Sequence, residues 1–104
     1  MILVNTDYIS GKDLKTLSIV KGSTIRAKHL GKDILAGLKT IVGGELTSYA
    51  EMLDEARAIA TQRMVKEAEE MKADAVISIR YSTSNIAQGA AEVLVYGTAV
   101  QFEN

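Results

Sequence analysis

The spacing of apolar residues changes along the chain, and each change marks the border of an element. Ile2 to Asn5 is a short apolar run, which predicts a strand that anchors the terminus. Between Leu14 and Lys28, Leu17, Ile19, Ile25 and Ala27 alternate with Ser18, Thr24, Arg26 and Lys28. That period of two predicts a half-buried strand with Leu17, Ile19, Ile25 and Ala27 on its inner face. Lys21-Gly22 interrupts it, as a bulge in one long bent strand or as the turn of a hairpin; the pattern fits both. From Asp33 to Ile41 the stripe Ile34, Leu35, Leu38, Ile41 predicts a short helix, which Gly43-Gly44 would end.

The longest periodic stretch is helical. Tyr49, Met52, Leu53, Ala56, Ile59, Ala60, Met64, Ala68 and Met71 recur on one face, with Glu51, Glu55, Arg57, Lys66, Glu69 and Glu70 on the other. Ser48 followed by Glu51 has the spacing of a capping box, so the helix is expected from Ser48 to Lys72. Arg63 with Glu67, and Lys66 with Glu70, are i, i+4 pairs of opposite charge. Such a helix, about 25 residues, is roughly 37 Å long. This exceeds what a small domain covers, so one end overhangs or packs on another subunit. Ala75 to Ser82 alternates as a strand, and Thr83 to Gly89 reads as a polar turn. Val93 to Phe102 is apolar on both faces, with Leu94, Tyr96, Val100 and Phe102 against Val93, Val95 and Ala99. A strand of that kind is covered on both sides. One helix covers one face, which leaves the other for a second copy of the chain.

Composition narrows the function classes. The chain has 104 residues, 47% of them apolar, which suits one globular domain over 1–104. A net charge of -1 supplies no field to draw in nucleic acid or an anionic membrane, and neither is expected as a partner. Cysteine is absent, which excludes disulfides, thiolate catalysis and cysteine-based metal sites. The first residues lack the basic region of a signal peptide, and no run is long enough to span a membrane; a cytoplasmic location is expected.

Candidate chemistry is sparse. Gly43-Gly44-Glu45, with Thr47 and Ser48, precedes the long helix, where free N–H groups and the helix dipole can hold an anion. The plainer reading is a helix stop and a turn, and Glu45 opposes an anion. His29 is the only histidine, so a metal site would need a ring of His29 from several subunits. Glu51, Asp54 and Glu55 suit the positive end of the helix dipole without any catalytic role. Arg57, Arg63 and Arg80 can line an interface or a ligand site, or pair with Glu45 or Glu51. A serine hydrolase triad has no second histidine to draw on. No cofactor and no catalytic group is expected.

Asp33-Ile34-Leu35-Ala36-Gly37-Leu38-Lys39 and Ile41-Val42-Gly43-Gly44-Glu45 resemble the YbjQ-like family of small bacterial and archaeal proteins. So do Tyr49 with Met52-Leu53, Glu55-Ala56-Arg57, Arg63-Met64, Ala73-Asp74-Ala75-Val76 and Tyr96-Gly97-Thr98-Ala99-Val100. The resemblance runs over nearly the whole chain. Lys72 and Ser78 stand where the family has glycine. It implies an α+β, dodecin-like subunit: a curved antiparallel sheet of three to four strands packed on one long helix, with a short helix besides. It also implies a cyclic homo-oligomer, a pentamer, and carries a heavy-metal-binding label. The expectation is a non-enzymatic ring that binds a small ligand or a partner where subunits meet. The alternatives are a protein that sequesters a metal or an anion and, last, an enzyme with an inter-subunit site.

Overall fold

The computed structural model describes residues 1–27 and 44–103. The short helix expected from Asp33 to Ile41, and His29, lie outside the described residues. Four strands and one helix follow in the order β1 (Ile2–Leu3), β2 (Leu14–Ala27), α1 (Gly44–Glu70), β3 (Ala75–Ala87) and β4 (Ala90–Phe102). The strands form one sheet in the order β1-β3-β4-β2. The pairs β2–β4 and β3–β4 are antiparallel, while β1 runs parallel to β3, so the sheet is mixed. The fold is a flat, elongated two-layer sandwich measuring 58 × 22 × 16 Å.

Along α1 the fully buried residues are Ala56, Ala60, Met64 and Ala68. Each lies four residues from the next, which keeps them on one face of the helix. Three of the four are alanines, so the helix axis can lie close to the sheet. It does so over β2, at Gly22. A Cβ there would stand 2.0 Å from the Ala60 carbonyl oxygen and 2.5 Å from the Met64 nitrogen. Gly22 is therefore a packing position inside one continuous strand, not a turn, and the hairpin alternative falls. The irregularity in β2 lies earlier, between Thr16 and Ser18.

Leu17 packs on the helix-side core as expected, but from Ile19 on this contact reverses the expected faces of β2. Val20, Gly22 and Thr24 lie buried beneath the helix, whereas Ile19 and Ile25 are 71% and 61% exposed. Strand side chains alternate strictly, so placing Gly22 under the helix sends both isoleucines to the far side. Val76, Ile79, Val93, Val95 and Ala99 complete the helix-side core.

Among the described residues, the other sheet face is covered at one end only. Ala75, Ile77 and Val100 are buried there, packed by Val4, Ile9, Leu14 and Phe102. The chain's own N-terminal segment thus supplies part of the second cover that the doubly apolar β4 demands. It is tied down by Ser78 N–H donating to the Thr6 carbonyl at 2.8 Å and Ile79 N–H donating to that of Val4 at 3.2 Å.

Both expected ends of the long helix shift. Its backbone is already helical from Gly44, so Ser48 sits one turn inside and cannot be the N-cap. The helix stops at Glu70 through a left-handed residue, Lys72, with φ 61°. Lys72 N–H donates to the Glu69 carbonyl and Ala73 N–H to that of Ala68, the bond pair of a Schellman motif. β3 runs on to Ala87, through residues expected as a turn, and only Gln88-Gly89 connects it to β4. Its polar residues are tolerated because Tyr81 to Gln88 are all exposed. Gly89, the second loop residue, has φ 75°, a left-handed conformation that glycine adopts without strain. Ser78, with φ 55°, falls in a bulge of β3 opposite Gly97. A Cβ on Gly97 would stand 2.8 Å from the Ile77 carbonyl oxygen, so the bulge presses on bare backbone.

Gly22→Ala is expected to lower stability by about 3 kcal/mol, the upper range for overpacking a tight contact, read as a lower midpoint in urea. Lys72→Gly and Ser78→Gly should each raise stability by about 1 kcal/mol by relieving the left-handed conformation, read in the same assay.

Candidate functional site

An opening lies where the end of β2 meets the N-terminal turns of α1. Ile25, Arg26 and Ala27 form one wall and Ser48, Glu51, Met52 and Glu55 the other, around a cleft of about 490 Å³. Glu51 and Glu55 are one turn apart and so share a face of α1. Arg26 crosses from the strand and donates to the Glu55 carboxylate. Both side chains remain well exposed, at 37% and 62%, so the ion pair orients the wall and adds only a few tenths of a kcal/mol. The cleft presents a hydroxyl, two carboxylates and one guanidinium beside the apolar Ile25 and Met52. It can hold a small polar or cationic molecule loosely.

A second cleft, about 250 Å³, lies at the other end, lined by Leu3, Val4, Asn5, Ile79 and Tyr81. It is mostly apolar and carries no charged group.

Of the residues singled out in the sequence, Ser48 borders the larger cleft. Gly44, Glu45 and Thr47 fall in the first turn of α1, and Gly43 lies outside the described residues. Gly44 therefore opens the long helix instead of forming the turn before it. The three arginines do not converge. Arg57 donates to Asp54 at 2.9 Å, along its own helix, and not to Glu51. Arg63 donates to the Ser23 carbonyl of β2 at 2.6 Å, so the expected pair with Glu67 does not form. Glu67 instead accepts from the Lys21 backbone N–H at 3.2 Å. Arg80 donates to the Asn5 carbonyl at 3.0 Å and holds the N-terminal segment on the sheet. Each arginine has a local structural partner, and no shared pocket forms among them in one subunit. Among the described residues no three of His, Cys, Asp and Glu gather where a metal could sit.

Arg26 and Met52 emerge only from the fold. Arg26 looks in sequence like any solvent-facing strand residue, and Met52 like any member of the helix stripe. What joins them is the crossing of β2 by α1, which leaves no trace in local spacing.

Comparison with known proteins is consistent over the full length. The family model YbjQ, described as "Putative heavy-metal-binding", matches residues 1–103. A UPF0145 protein of Alkaliphilus metalliredigens is 70% identical over 102 residues, covering 98% of this chain and 99% of that protein. One from Clostridium novyi is 69% identical over 101 residues, covering 97% of this chain and 98% of its own. An archaeal relative, a UPF0145 protein of Methanosarcina acetivorans, is 58% identical over 105 residues, with 100% and 99% coverage. Among solved structures, a protein of unknown function from Pediococcus pentosaceus, of the DUF74 family, superposes with a TM-score of 0.67. It covers 99% of this chain and 98% of its own at 16% identity, a likeness of fold alone.

Proposed function

We propose that this chain, which belongs to the YbjQ family, acts as a ring-forming homo-oligomer that binds a small ligand or a partner where subunits meet. One observation carries the reading: among the described residues, the sheet face turned away from α1 is only half covered. Val4 and Ile9 close one end of it, and beyond them Ile19, Ile25 and Tyr96 are exposed and Leu94 is half-buried. Ile19 pairs in register with Thr98, Lys21 with Tyr96, Ser23 with Leu94 and Ile25 with Glu92, so the four apolar side chains neighbour one another only along β4 and diagonally, interleaved with polar ones. Large apolar side chains left in the open on one sheet face, with polar ones among and around them, support an interaction surface. The cyclic form, a pentamer, follows the family resemblance. The role is non-enzymatic: it rests on binding in inter-subunit clefts, beside walls such as Ile25 and Met52.

At micromolar concentration, light scattering is expected to give a mass near five times the 11.2 kDa of one chain. Ile19→Lys should shift this toward the monomer with an unchanged far-UV circular dichroism spectrum, because it buries an unpaired charge in the contact. A wild-type monomer would sink the reading.

The description of the family supports a second reading, capture of a metal ion by His29 side chains of several subunits. Titration calorimetry with Zn²⁺, Cu²⁺ and Ni²⁺ is then expected to show binding that His29→Ala abolishes. Affinity no tighter than about millimolar counts against it.

A further inference from the structure

The two long edges of the sheet differ. On β2, one outward-facing backbone group of Lys21 and one of Ser23 are already occupied. Lys21 N–H donates to Glu67 Oε1 at 3.2 Å, and the Ser23 carbonyl accepts from Arg63 Nη1 at 2.6 Å. These are a donor and an acceptor that a strand docking on this edge would use.

The fit follows from the periods of the two elements. Residues 63 and 67 are four apart on α1, roughly 6 Å along its axis. Residues 21 and 23 are two apart on β2, roughly 6.8 Å along the strand. The two spacings match, so one helical turn can serve successive outward-facing positions of the edge. The chemistry matches as well, since a carboxylate accepts from the N–H and a guanidinium donates to the carbonyl. Gly22 lies between the two, and its missing side chain brings α1 near enough for both to reach.

The opposite edge has no such cover. The N-terminal segment pairs with β3 as far as Ile79, and among the described residues no strand lies beside β3 from Tyr81 to Ala87. That stretch carries no charged residue. Pairing this open edge with the β2 edge of another copy would join unlike surfaces, a head-to-tail contact that runs into open-ended fibres unless it closes.

We propose that Arg63 and Glu67 guard the β2 edge against the open β3 edge of a second copy, so that the sheet cannot grow from both sides. The guard directs association to the uncovered sheet face and the β3 edge, and rests on the self-association read above only in that respect.

The test compares wild type with Arg63→Ala/Glu67→Ala and with the charge swap Arg63→Glu/Glu67→Lys. The swap preserves net charge and an i, i+4 pair but presents the wrong group to each backbone atom. Both variants are expected to keep the wild-type circular dichroism spectrum and to at least double the mass measured by light scattering. That mass should rise further with concentration, with a thioflavin signal that wild type lacks. Arg57→Ala/Glu70→Ala, on the same helix, should leave the mass unchanged. A folded charge-swap variant with the wild-type mass at every concentration overturns the proposal. The readout is a change relative to wild type, so a monomeric wild type would sink the ring reading and leave this test intact.

Discussion

Everything in this fold depends on how closely α1 can lie on β2, and that distance is set by a missing side chain. With only hydrogen on the Gly22 Cα, helix backbone meets strand backbone at Ala60 and Met64. The alanines at 56, 60 and 68 extend the same close seat along the helix. Dispersion contacts are individually weak and fall off steeply with distance, so a seam of small residues gains by bringing many atoms within reach at once. The contact also decides the faces of β2 and the reach of Arg63 and Glu67. A single bulky residue at position 22 would disturb both together.

The sheet's second face is handled differently. The first residues of the chain fold back over Ile77 and Val100, held by Arg80 and by the bulge around Ser78. Ser78 donates its backbone N–H from a left-handed conformation that costs an L-residue about 1 kcal/mol or more. Lys72 takes on a similar cost where the helix turns into β3. Both positions must be left-handed for geometric reasons: one ends a helix and the other turns a strand toward the N-terminal segment. The packing each makes possible offsets the strain.

The long helix was legible in the sequence because its stripe repeats over six turns, more signal than any neighbouring pattern can mimic. Its start was not, since Ser48 with Glu51 carries the same spacing inside a helix as at its cap. The resemblance flagged Lys72 and Ser78 as departures from glycine, and the backbone accounts for them, as both have positive φ. The faces of β2 were misjudged because Ile19 and Ile25 look like core residues, while the true inner residue, Gly22, has no hydrophobicity to read. Thr83 to Ala87 read as a turn because an exposed strand need not be apolar. The larger cleft was hidden for a related reason. Its walls come from residues about thirty positions apart, and only the crossing of helix and strand brings them together. Arg57, Arg63 and Arg80 were visible as charges, but sequence does not show that each is engaged by a neighbour.

The two-residue connection at Gln88-Gly89 also bears on how the chain acquires its structure. β3 and β4 are neighbours in sequence, so closing that hairpin restricts few residues and forms within microseconds. β2 must find β4 across the whole of α1, from Leu14 opposite Phe102 to Ala27 opposite Ala90. Loop entropy makes that the costly step. By loop entropy alone, the β3–β4 hairpin is thus the natural template for the pairing of β2.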